Sequence, residues 1–497
     1  MAALKKEKFF QRMNEQGLAL TFDDVRLETG ESQVTAGEVD ITSFFSRNIG
    51  LKTPIVSAAM DTVTTSDMAI AVAKQGGIGV IHAGLSAERQ ADEVRRVKLH
   101  LNGLIEQPIT VTETQSLQSV LSMCEKRNFD FRTFPVTDSN DRFVGLLTKN
   151  DFDFCGNLSQ RVSDAMTPLN EAVSARGHTT IKAAHDLMLK NKKKMLPLLN
   201  DDGTVAGLYV FSDVNRIVRG NSGRYNVDSN GRLRVAAAIP TDEEGLKRVQ
   251  KMRKYLDVVV IDTAQGDSKF SFIALRRLKE EFPDLDVVVG NVSTGQSAKR
   301  LAEEGADGIK VGQGPGSICT TRTETGIGCP QVTAVYECVQ AVKSTGKNVP
   351  VCADGGIKDP GDISLAIAAG ASSVMMGSML AGTKEAPGDL IELETGARVK
   401  LYRGMGSPSA MRQSEASRKR YGVEGSGVPL AEGVESYVPY RGPVVEVLDR
   451  YTKALRKSMS YVGSSDITTH QTDTRFLRIT NAGIRESRPH DVKVITT

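Results

Sequence analysis

The 497-residue sequence has neither a long apolar run nor a secretory leader. No stretch approaches the roughly 18 uninterrupted apolar residues that indicate a membrane span. The first residues are charged and lack the apolar core of a signal peptide. The six cysteines form no CxxC pair and are too sparse for a disulfide framework. We therefore expect reduced thiols, no membrane association and a cytoplasmic location.

An excess of one charge is also missing, because 63 Lys and Arg against 60 Asp and Glu leave a formal net charge of +3. This balance gives no reason to expect nucleic acid as a partner, so any nucleotide chemistry must come from local sites. The sequence lacks an HExxH motif, and no histidine lies within 100 residues of Cys319. A zinc site of that type and a local Cys–His pair are not indicated.

Eight short apolar segments alternate with amphipathic ones outside residues 102–220. Buried parallel strands read as continuous apolar runs with crossover helices between them. The pattern predicts an α/β fold, a (β/α)8 TIM barrel, with a doubly wound open sheet as the alternative. The predicted strands are 54–57, 77–81, 235–239, 258–262, 287–290, 308–312, 350–354 and 373–377, and helical patterns include 245–255, 271–281, 295–304 and 332–344.

An internal repeat occupies the remaining segment, because residues 134–151 align with 196–213 at a constant offset of 62. Each copy predicts a strand, a polar turn, a strand and a helix with an Asp as its N-cap, after a helical stretch at 117–127 or 181–191. Pro135, Gly145 and Asp151 recur as Pro197, Gly207 and Asp213. The repeat indicates duplication, and divides the chain into a first barrel part (1–101), an inserted domain (102–220) and a second barrel part (221–497).

The repeat resembles a pair of cystathionine-β-synthase (CBS) motifs, which in other proteins bind adenine or guanine nucleotides and regulate. The ribose-contacting pattern of that family is Thr/Ser-x-x-Asp. Thr148 and Asp151 fit it, whereas Val210 replaces the hydroxyl residue before Asp213. The resemblance implies one competent nucleotide pocket with contacts from Thr148, Asp151 and Asp213; an inert structural insert is the alternative.

Glycine and small polar residues follow five of the predicted barrel strands. In a barrel these loops share one rim, and glycine lets backbone N–H groups approach an anion closely. We expect Ser317, Gly355, Gly356, Gly377 and Ser378 to bind a phosphate. Asp354 beside them suits a grip on ribose hydroxyls, although a helix N-cap role is equally open.

Cys319 is the candidate nucleophile. A free cysteine is usually a small buried hydrophobe, which is the role we expect for Cys338 and Cys352. Cys319 differs because it lies in the glycine-rich stretch Gly314–Arg322 and precedes two threonines and an arginine. A neighbouring cation or helix N-terminus would favour its thiolate.

Several separated motifs resemble those of the family that contains inosine monophosphate dehydrogenase and GMP reductase. They are Gly314-Pro-Gly-Ser-Ile-Cys-Thr-Thr-Arg322, Leu20-Thr-Phe-Asp-Asp24, Met60-Asp-Thr-Val63, Gly76-Gly-Ile-Gly79, Asp354-Gly-Gly-Ile357, Tyr402-Arg-Gly-Met-Gly-Ser407 and Pro489-His-Asp-Val492. The resemblance implies that Cys319 adds to C2 of the hypoxanthine of inosine monophosphate and that hydride leaves for NAD. A flap at about 400–440 then supports hydrolysis of the covalent intermediate.

The resemblance also implies the role of each matched residue. Arg420 and Tyr421 would activate the water, Thr321 would position it, and Glu432 would be a secondary proton acceptor. The substrate contacts would be Ser317, Asp354, Gly356, Gly377, Ser378, Tyr402, Gly404, Met405, Gly406 and Glu432, and the cofactor contacts Asp262, Thr263, Asn291, Gly312 and Gly314.

A potassium ion is implied as well, held by backbone carbonyls of the cysteine loop. Gly314, Gly316 and Cys319 match one half of that site, and Glu486, Ser487 and Arg488 of a neighbouring subunit match the other. The shared site implies a homotetramer, and octamers are an open extension.

Two rival functions remain. GMP reductase uses the same cysteine with NADPH, but Arg420-Tyr421 and the 402–407 motif favour the dehydrogenase. A catalytically inactive nucleotide-sensing protein would need to have lost Cys319, Thr321 or the flap pair, and all are present. The departures from the family pattern are Thr263-Ala264 in the cofactor loop and residues 422–425 after the flap pair.

Overall fold

The computed structural model describes residues 2–492 except 101–103, 106–107, 127–128, 130, 178, 220–222 and 422–429. The chain forms two compact units. The first contains the residues up to Lys98, then Arg224–Val227, and those from Leu233 onward. The second contains Leu99–Gly223 and Asp228–Arg232.

Eight parallel strands close into a barrel in the first unit. They are β1 Ile55–Ser57, β2 Ile78–Ile81, β3 Ala236–Ile239, β4 Val258–Asp262, β5 Asp286–Val292, β6 Gly308–Val311, β7 Val351–Asp354 and β8 Ser373–Met376. Each strand pairs with the next, and β8 pairs with β1, so no edge is left open. The predicted TIM barrel is confirmed, and the open-sheet alternative is wrong.

Helices surround the barrel. They are α1 Ser66–Lys74, α2 Ala87–Leu99, α3 Glu243–Met252, α4 Lys269–Glu281, α5 Gly295–Glu304, α6 Gln331–Lys343, α7 Pro360–Ala368 and α8 Val444–Val462. The predicted start of α3 at Gly245 is two residues late, because the Asp242 carboxylate accepts from the Gly245 N–H and caps the helix earlier. Ser268 caps α4 in the same way, ahead of the predicted start at Ser271.

The second unit lies between α2 and β3 in the sequence and contains two four-stranded sheets. The strands are Leu104–Ile105, Val111–Thr112, Phe134–Thr137, Phe143–Leu147, Thr167–Pro168, Ala175–Arg176, Met195–Leu199 and Val205–Val210, and the helices are Leu117–Lys126, Lys149–Asp153, Val162–Ala165, Ile181–Asn191 and Phe211–Arg219. Pro135 pairs with Leu146, and 62 residues later Pro197 pairs with Leu208. The repeat in sequence is therefore a repeat in strand register.

The predicted N-cap role of the repeat's aspartates is wrong. Thr148 is the N-cap of its helix, and Asp151 is the third helical residue, whose carboxylate accepts from the Thr148 N–H at 2.6 Å and its hydroxyl at 2.9 Å. Asp213 is likewise the third residue of its helix. A capping box satisfies the helix start better than a single side chain, which explains the shift.

The remaining elements belong to the first unit. They are the helices Ala2–Glu15, Phe22–Asp24 (3-10), Thr321–Thr325, Ser378–Ala381, Pro408–Gln413, Glu415–Arg420, Ile467–Asp473 and Asn481–Glu486, and the strands Val25–Leu27, Ser43–Ser46, Ile49–Leu51, Ile391–Glu392, Arg398–Arg403, Glu435–Pro439 and Phe476–Arg478. Residues 422–429 of the predicted flap lie outside the described residues. In the part of the chain that is described, no helix has the length and apolarity to cross a bilayer.

His470 predicts how stability depends on acidity. It lies in the helix Ile467–Asp473, where it is buried against α7, and its Nε2 lies 2.9 Å from the Ser364 hydroxyl. Burial lowers its pKa from 6.5 to about 4. As pH falls below 6.5 the unfolded chain therefore takes up a proton that the folded chain refuses, and stability is lost down to about pH 4. The loss is about 3 kcal/mol for this residue.

We expect His470→Gln to flatten the fall in unfolding free energy between pH 6.5 and 4, measured by urea unfolding. His490→Gln, which changes an exposed histidine, is the control. An unchanged pH slope in His470→Gln would contradict this reading.

Candidate active site

One cleft of about 1460 Å³, including its open mouth, lies at the carboxyl ends of the barrel strands. Ligand sites of this fold gather at that rim. The cleft is lined by most of the residues predicted for the site, which are Asp262, Thr263, Asn291, Gly312, Gly314, Gly316, Ser317, Cys319, Thr321, Asp354, Gly356, Gly377, Ser378, Tyr402, Gly404, Met405, Arg420, Tyr421 and Glu432. Residues as far as 170 positions apart in sequence, Asp262 and Glu432, therefore line one cleft.

The cysteine loop is fixed by backbone hydrogen bonds on both sides. Within the loop, the Cys319 N–H donates to the Gly316 carbonyl at 3.1 Å. Cys319 also forms an antiparallel bridge with Gly433. The Thr320 N–H donates to the Glu432 carbonyl at 3.1 Å, and the Val434 N–H donates to Ile318 at 3.0 Å. A segment more than 110 residues later thus lies beside the thiol.

A chain of side chains leads away from the Cys319 sulfur. The Thr321 hydroxyl lies 3.1 Å from the sulfur and donates to the Glu432 carboxylate at 2.7 Å. A threonine hydroxyl has one proton, so Thr321 can only accept from the thiol while it donates to Glu432. The order of donors lets a proton pass from sulfur to carboxylate through one hydroxyl, as general base catalysis requires.

Arg420 and Tyr421 reach the cleft from the end of the helix Glu415–Arg420. The Arg420 guanidinium forms an ion pair with the Asp262 carboxylate at the end of β4. Its backbone carbonyl accepts from the Ala264 N–H at 3.1 Å. Both contacts hold the described end of the predicted flap against the barrel rim, and we call this arrangement the closed flap.

Tyr421 packs against the backbone of Gly406. A Cβ atom at Gly406 would lie 2.7 Å from the tyrosine ring, so only glycine admits the ring here. Burial raises the pKa of the Tyr421 phenol, Cys319 adds to the increase, and the Arg420 guanidinium opposes it. Gly406 does not line the cleft itself but supports the residue that does.

A buried lysine joins three strand ends beneath the flap. Lys310 of β6 is 1% exposed, and its ammonium lies 2.9 Å from Asp262 Oδ1 and 2.7 Å from Asp354 Oδ2. It also donates to the Asn291 amide oxygen. The Asn291 amide nitrogen in turn donates to Asp354 Oδ2 at 2.9 Å. The carboxylates predicted for substrate and cofactor thus share one cation.

The part of the cleft next to Asp354 combines glycine backbone with a buried phenol. Gly355 and Gly356 have φ values of +89° and +84°, which glycine adopts without strain. A Cβ at Gly377 would lie 2.7 Å from the Tyr402 hydroxyl, so the phenol approaches the backbone closely. Burial raises the pKa of Tyr402 strongly, with Asp354 adding to it, and keeps the phenol a neutral donor.

The helix N-cap alternative for Asp354 is wrong. Asp354 ends β7, whereas α7 begins at Pro360 with Asp359 as its N-cap. The Asp354 carboxylate instead faces Lys310 and Asn291. One carboxylate oxygen is held by these partners, which leaves the other for a ligand.

The predicted cation residues at the carboxyl end lie elsewhere in the chain. Glu486, Ser487 and Arg488 are exposed, and the Ser487 hydroxyl donates to the Gly483 carbonyl at 2.7 Å. They do not line the cleft. Within the described ranges no group of three His, Cys, Asp or Glu side chains could hold a metal.

Sequence reasoning missed Lys310 and the structural role of Arg322. Lys310 interrupts an apolar strand, and a lysine in a buried run is itself a signal, because its charge needs partners. The Arg322 Nε donates to the Gln313 carbonyl at 2.9 Å, and its Nη2 donates to the Cys329 carbonyl. The two bonds together stabilise the cysteine loop. A Cβ at Gly314 would lie 2.5 Å from the Arg322 side chain.

Comparison with known proteins identifies relatives over almost the whole chain. Residues 19–490 match the family model described as the IMP dehydrogenase / GMP reductase domain. The inosine-5'-monophosphate dehydrogenase of Bacillus subtilis (strain 168) is 40% identical over 96% of both chains. That of Aquifex aeolicus (strain VF5) is 43% identical over 96% of both. A crystal structure of a C→A variant of GMP reductase from Trypanosoma brucei, in complex with guanosine 5'-monophosphate, is 36% identical with a TM-score of 0.83, covering 97% of this chain and 100% of that one.

The cysteines predict a labelling pattern. Burial raises the pKa of Cys352 to about 12 and that of Cys338 even further. Cys319 lies in an open cleft, half-buried. With iodoacetamide at neutral pH we expect Cys319 to be alkylated in the folded protein, and Cys338 and Cys352 only after unfolding. Peptide mass spectrometry measures this, partly exposed Cys155 is the internal control, and alkylation of Cys338 as fast as Cys319 would contradict it.

Proposed function

Because the chain belongs to the IMP dehydrogenase / GMP reductase family, we propose that it oxidises inosine 5'-monophosphate to xanthosine 5'-monophosphate with NAD. Within the family, the observation that favours the dehydrogenase over the reductase is the closed flap. Arg420 lies on Asp262 and Tyr421 lies on Gly406, inside the cleft that contains Cys319. A hydrolytic step needs groups that approach the thiol after the redox step, and these are the residues so placed.

In the first step the Cys319 thiolate adds to C2 of the hypoxanthine ring, and C2 loses a hydride. The thiol proton moves to Thr321 and on to Glu432 along the 3.1 Å and 2.7 Å contacts. The product is a thioimidate with a covalent bond between the Cys319 sulfur and C2. Ser317, Gly356, Gly377, Ser378 and Tyr402 hold the phosphate, and Asp354 holds the ribose, so that C2 faces the sulfur.

Gly404 and Met405 line the cleft and hold the base at the other end of the nucleotide, and Gly406 contributes by supporting Tyr421. The Glu432 N–H donates to the Gly406 carbonyl at 3.1 Å, and the Gly404 N–H donates to Val434 at 3.0 Å. Both bonds tie this loop to the segment that bears Glu432. The base therefore sits between the cysteine loop and the proton acceptor.

In the second step water attacks C2, and the carbon–sulfur bond breaks to release the thiolate and xanthosine monophosphate. Arg420 is the proposed water activator. Its guanidinium lines the cleft that contains Cys319, which supports its approach to a water bound there. Tyr421, whose pKa is raised, stays a neutral hydroxyl beside Arg420 and Glu432.

NAD, when bound, supplies the acceptor for the hydride. Asp262, Thr263, Asn291, Gly312 and Gly314 would hold it, because all five line the cleft and the Asp262 carboxylate can accept from ribose hydroxyls. A Cβ at Gly312 would lie 2.0 Å from the Asp354 carbonyl, so only glycine fits at this position of the loop. Since Arg420 occupies Asp262 in the closed flap, flap and dinucleotide use this carboxylate in turn.

A potassium ion fits the cysteine loop by donor chemistry, because carbonyl oxygens are ligands for hard cations. Gly314, Gly316 and Cys319 would supply three of them, and the exposed Glu486–Arg488 segment of a neighbouring subunit would supply the rest. This arrangement supports a homotetramer, with octamers as a further assembly. A purine nucleotide substrate and six unpaired cysteines favour a cytoplasmic location for the protein.

The duplicated unit is proposed as a CBS pair that binds an adenine or guanine nucleotide. Its two sheets repeat the same strand register at an offset of 62 residues. Thr148 and Asp151 are joined in one capping box and present a hydroxyl and a carboxylate for a ribose. Asp213 stands at the corresponding place in the second copy, where Val210 offers no hydroxyl.

GMP reductase is the second candidate, favoured by the structural likeness to the trypanosomal enzyme. The Cys319–Thr321–Glu432 chain serves either reaction, because deamination of GMP also needs a thiolate and a proton donor. The position of Arg420 and Tyr421 favours the dehydrogenase, since reduction has no hydrolytic step. An inactive nucleotide sensor is disfavoured by the intact contacts around the thiol.

We expect absorbance at 340 nm to rise when the protein is mixed with inosine monophosphate and NAD. The mixture of GMP and NADPH should show no fall. Cys319→Ala should lower kcat by at least about a thousandfold, because the covalent step is lost. A fall in the GMP mixture alone would identify the reductase, and no change in either would contradict the enzyme assignment.

We expect Arg420→Ala to separate the two steps. The redox step does not need the guanidinium, so one equivalent of NADH should appear as a burst, followed by a steady rate lower by about two to three orders of magnitude. Stopped-flow absorbance measures both phases. Arg418→Ala, two residues earlier in the same helix, is the matched control and should keep a fast steady rate; an equal loss in both variants would refute the assignment of Arg420.

A further inference from the structure

The space beneath the closed flap contains four charged side chains, two of each sign. Arg420 pairs with Asp262, and Lys310 lies between Asp262 and Asp354. Asp262 is 8% exposed and Lys310 1%. A buried charge is tolerated only with a partner, so each member fixes the positions of the others.

Lys310 reaches this position because its neighbour in β5 has no side chain. In the barrel register Lys310 lies beside Gly290, and a Cβ at Gly290 would lie 2.6 Å from the Lys310 Cβ. The lysine stem can therefore run along the inside of the barrel to the strand ends. There its ammonium contacts acceptors from three strands, which are Asp262 of β4, Asn291 of β5 and Asp354 of β7.

We infer that Lys310 is a positioning residue that couples the flap to the nucleotide ribose. It holds Oδ1 of Asp262 and leaves Oδ2 to Arg420, and it holds Oδ2 of Asp354 and leaves Oδ1 to the ribose. When Arg420 departs, Asp262 keeps Lys310 as its cation, so the ammonium is drawn toward Asp262 and away from Asp354. Flap position and ribose grip therefore change together.

The inference rests on the proposed function in that a purine nucleotide occupies the cleft and the segment that bears Arg420 moves. IMP and GMP carry the same ribose, so either nucleotide tests it, and turnover is not needed. A failure of the dehydrogenase assay would leave the binding measurements interpretable. The first readout is the Kd of inosine monophosphate, and separately of GMP, by calorimetry without dinucleotide.

We expect Lys310→Met to weaken nucleotide binding by about ten- to a hundredfold, the range for loss of a hydrogen bond to a charged group. Lys310→Arg should restore most of the affinity, because it returns the charge and the donors. In turnover the KM for the nucleotide should rise more than kcat falls.

Lys98→Met is the matched control, because Lys98 is also a buried lysine in an ion pair, with Asp257 at 2.7 Å, at the opposite end of the barrel. It should lower thermal stability without changing the Kd. Lys310→Gln serves as a second variant, with circular dichroism to verify folding. Equal Kd values for Lys310→Met and Lys98→Met would overturn the inference, and so would unfolding of every Lys310 variant while Lys98→Met folds.

A double-mutant cycle tests the coupling itself. Arg420→Ala should weaken nucleotide binding several-fold in the unaltered protein, within the range of about two- to a hundredfold expected for coupled contacts. In the Lys310→Met background the same change should have an effect below twofold, because the link to Asp354 is already broken. Equal effects in both backgrounds would show that Arg420 acts independently and would overturn the coupling.

Discussion

Backbone hydrogen bonds between the cysteine loop and the segment 432–434 fix the positions of the side chains proposed to carry out the reaction. Cys319 bridges Gly433, and the Thr320 N–H donates to Glu432. One short antiparallel contact thus sets the distance from thiol to hydroxyl to carboxylate. It also fixes the start of the strand Glu435–Pro439. That strand pairs with Arg398–Arg403, which is followed directly by the loop proposed to hold the base. Backbone contacts therefore join the nucleophile, the proton acceptor and the base-holding loop.

Charge organises the other half of the cleft. The barrel rim gathers Asp262, Asn291 and Asp354 from three strand ends, and carboxylates so close in a buried space require a cation. Lys310 on barrel strand β6 supplies one cation, and Arg420 at the end of the helix Glu415–Arg420 supplies a second. Only the second cation belongs to the flap, so the cleft can lose it and still keep one charge between the carboxylates. A lysine on a barrel strand and an arginine on the predicted flap would suit the proposed alternation of flap and dinucleotide.

The barrel and most of the cleft could be predicted from the sequence because their signals are local. The run Val258–Asp262 reads as a buried strand, and a strand end with small polar residues places its loop at the rim. The family motifs then added Arg420 and Tyr421. Their contacts could not be predicted, since Asp262 lies more than 150 residues before Arg420. The Thr148 cap was also missed, because an Asp at the third helical position reads as an N-cap until the hydroxyl is seen to begin the helix.

The central claim is that the Cys319 sulfur bonds to the purine before hydrolysis. Mass spectrometry of the protein, denatured by acid within milliseconds of mixing with inosine monophosphate and NAD, tests it most directly. The account predicts that the peptide containing Cys319 carries the mass of the oxidised nucleotide, and that the adduct accumulates further in Arg420→Ala. Steady formation of xanthosine monophosphate with no adduct on that peptide, in either protein, would contradict it.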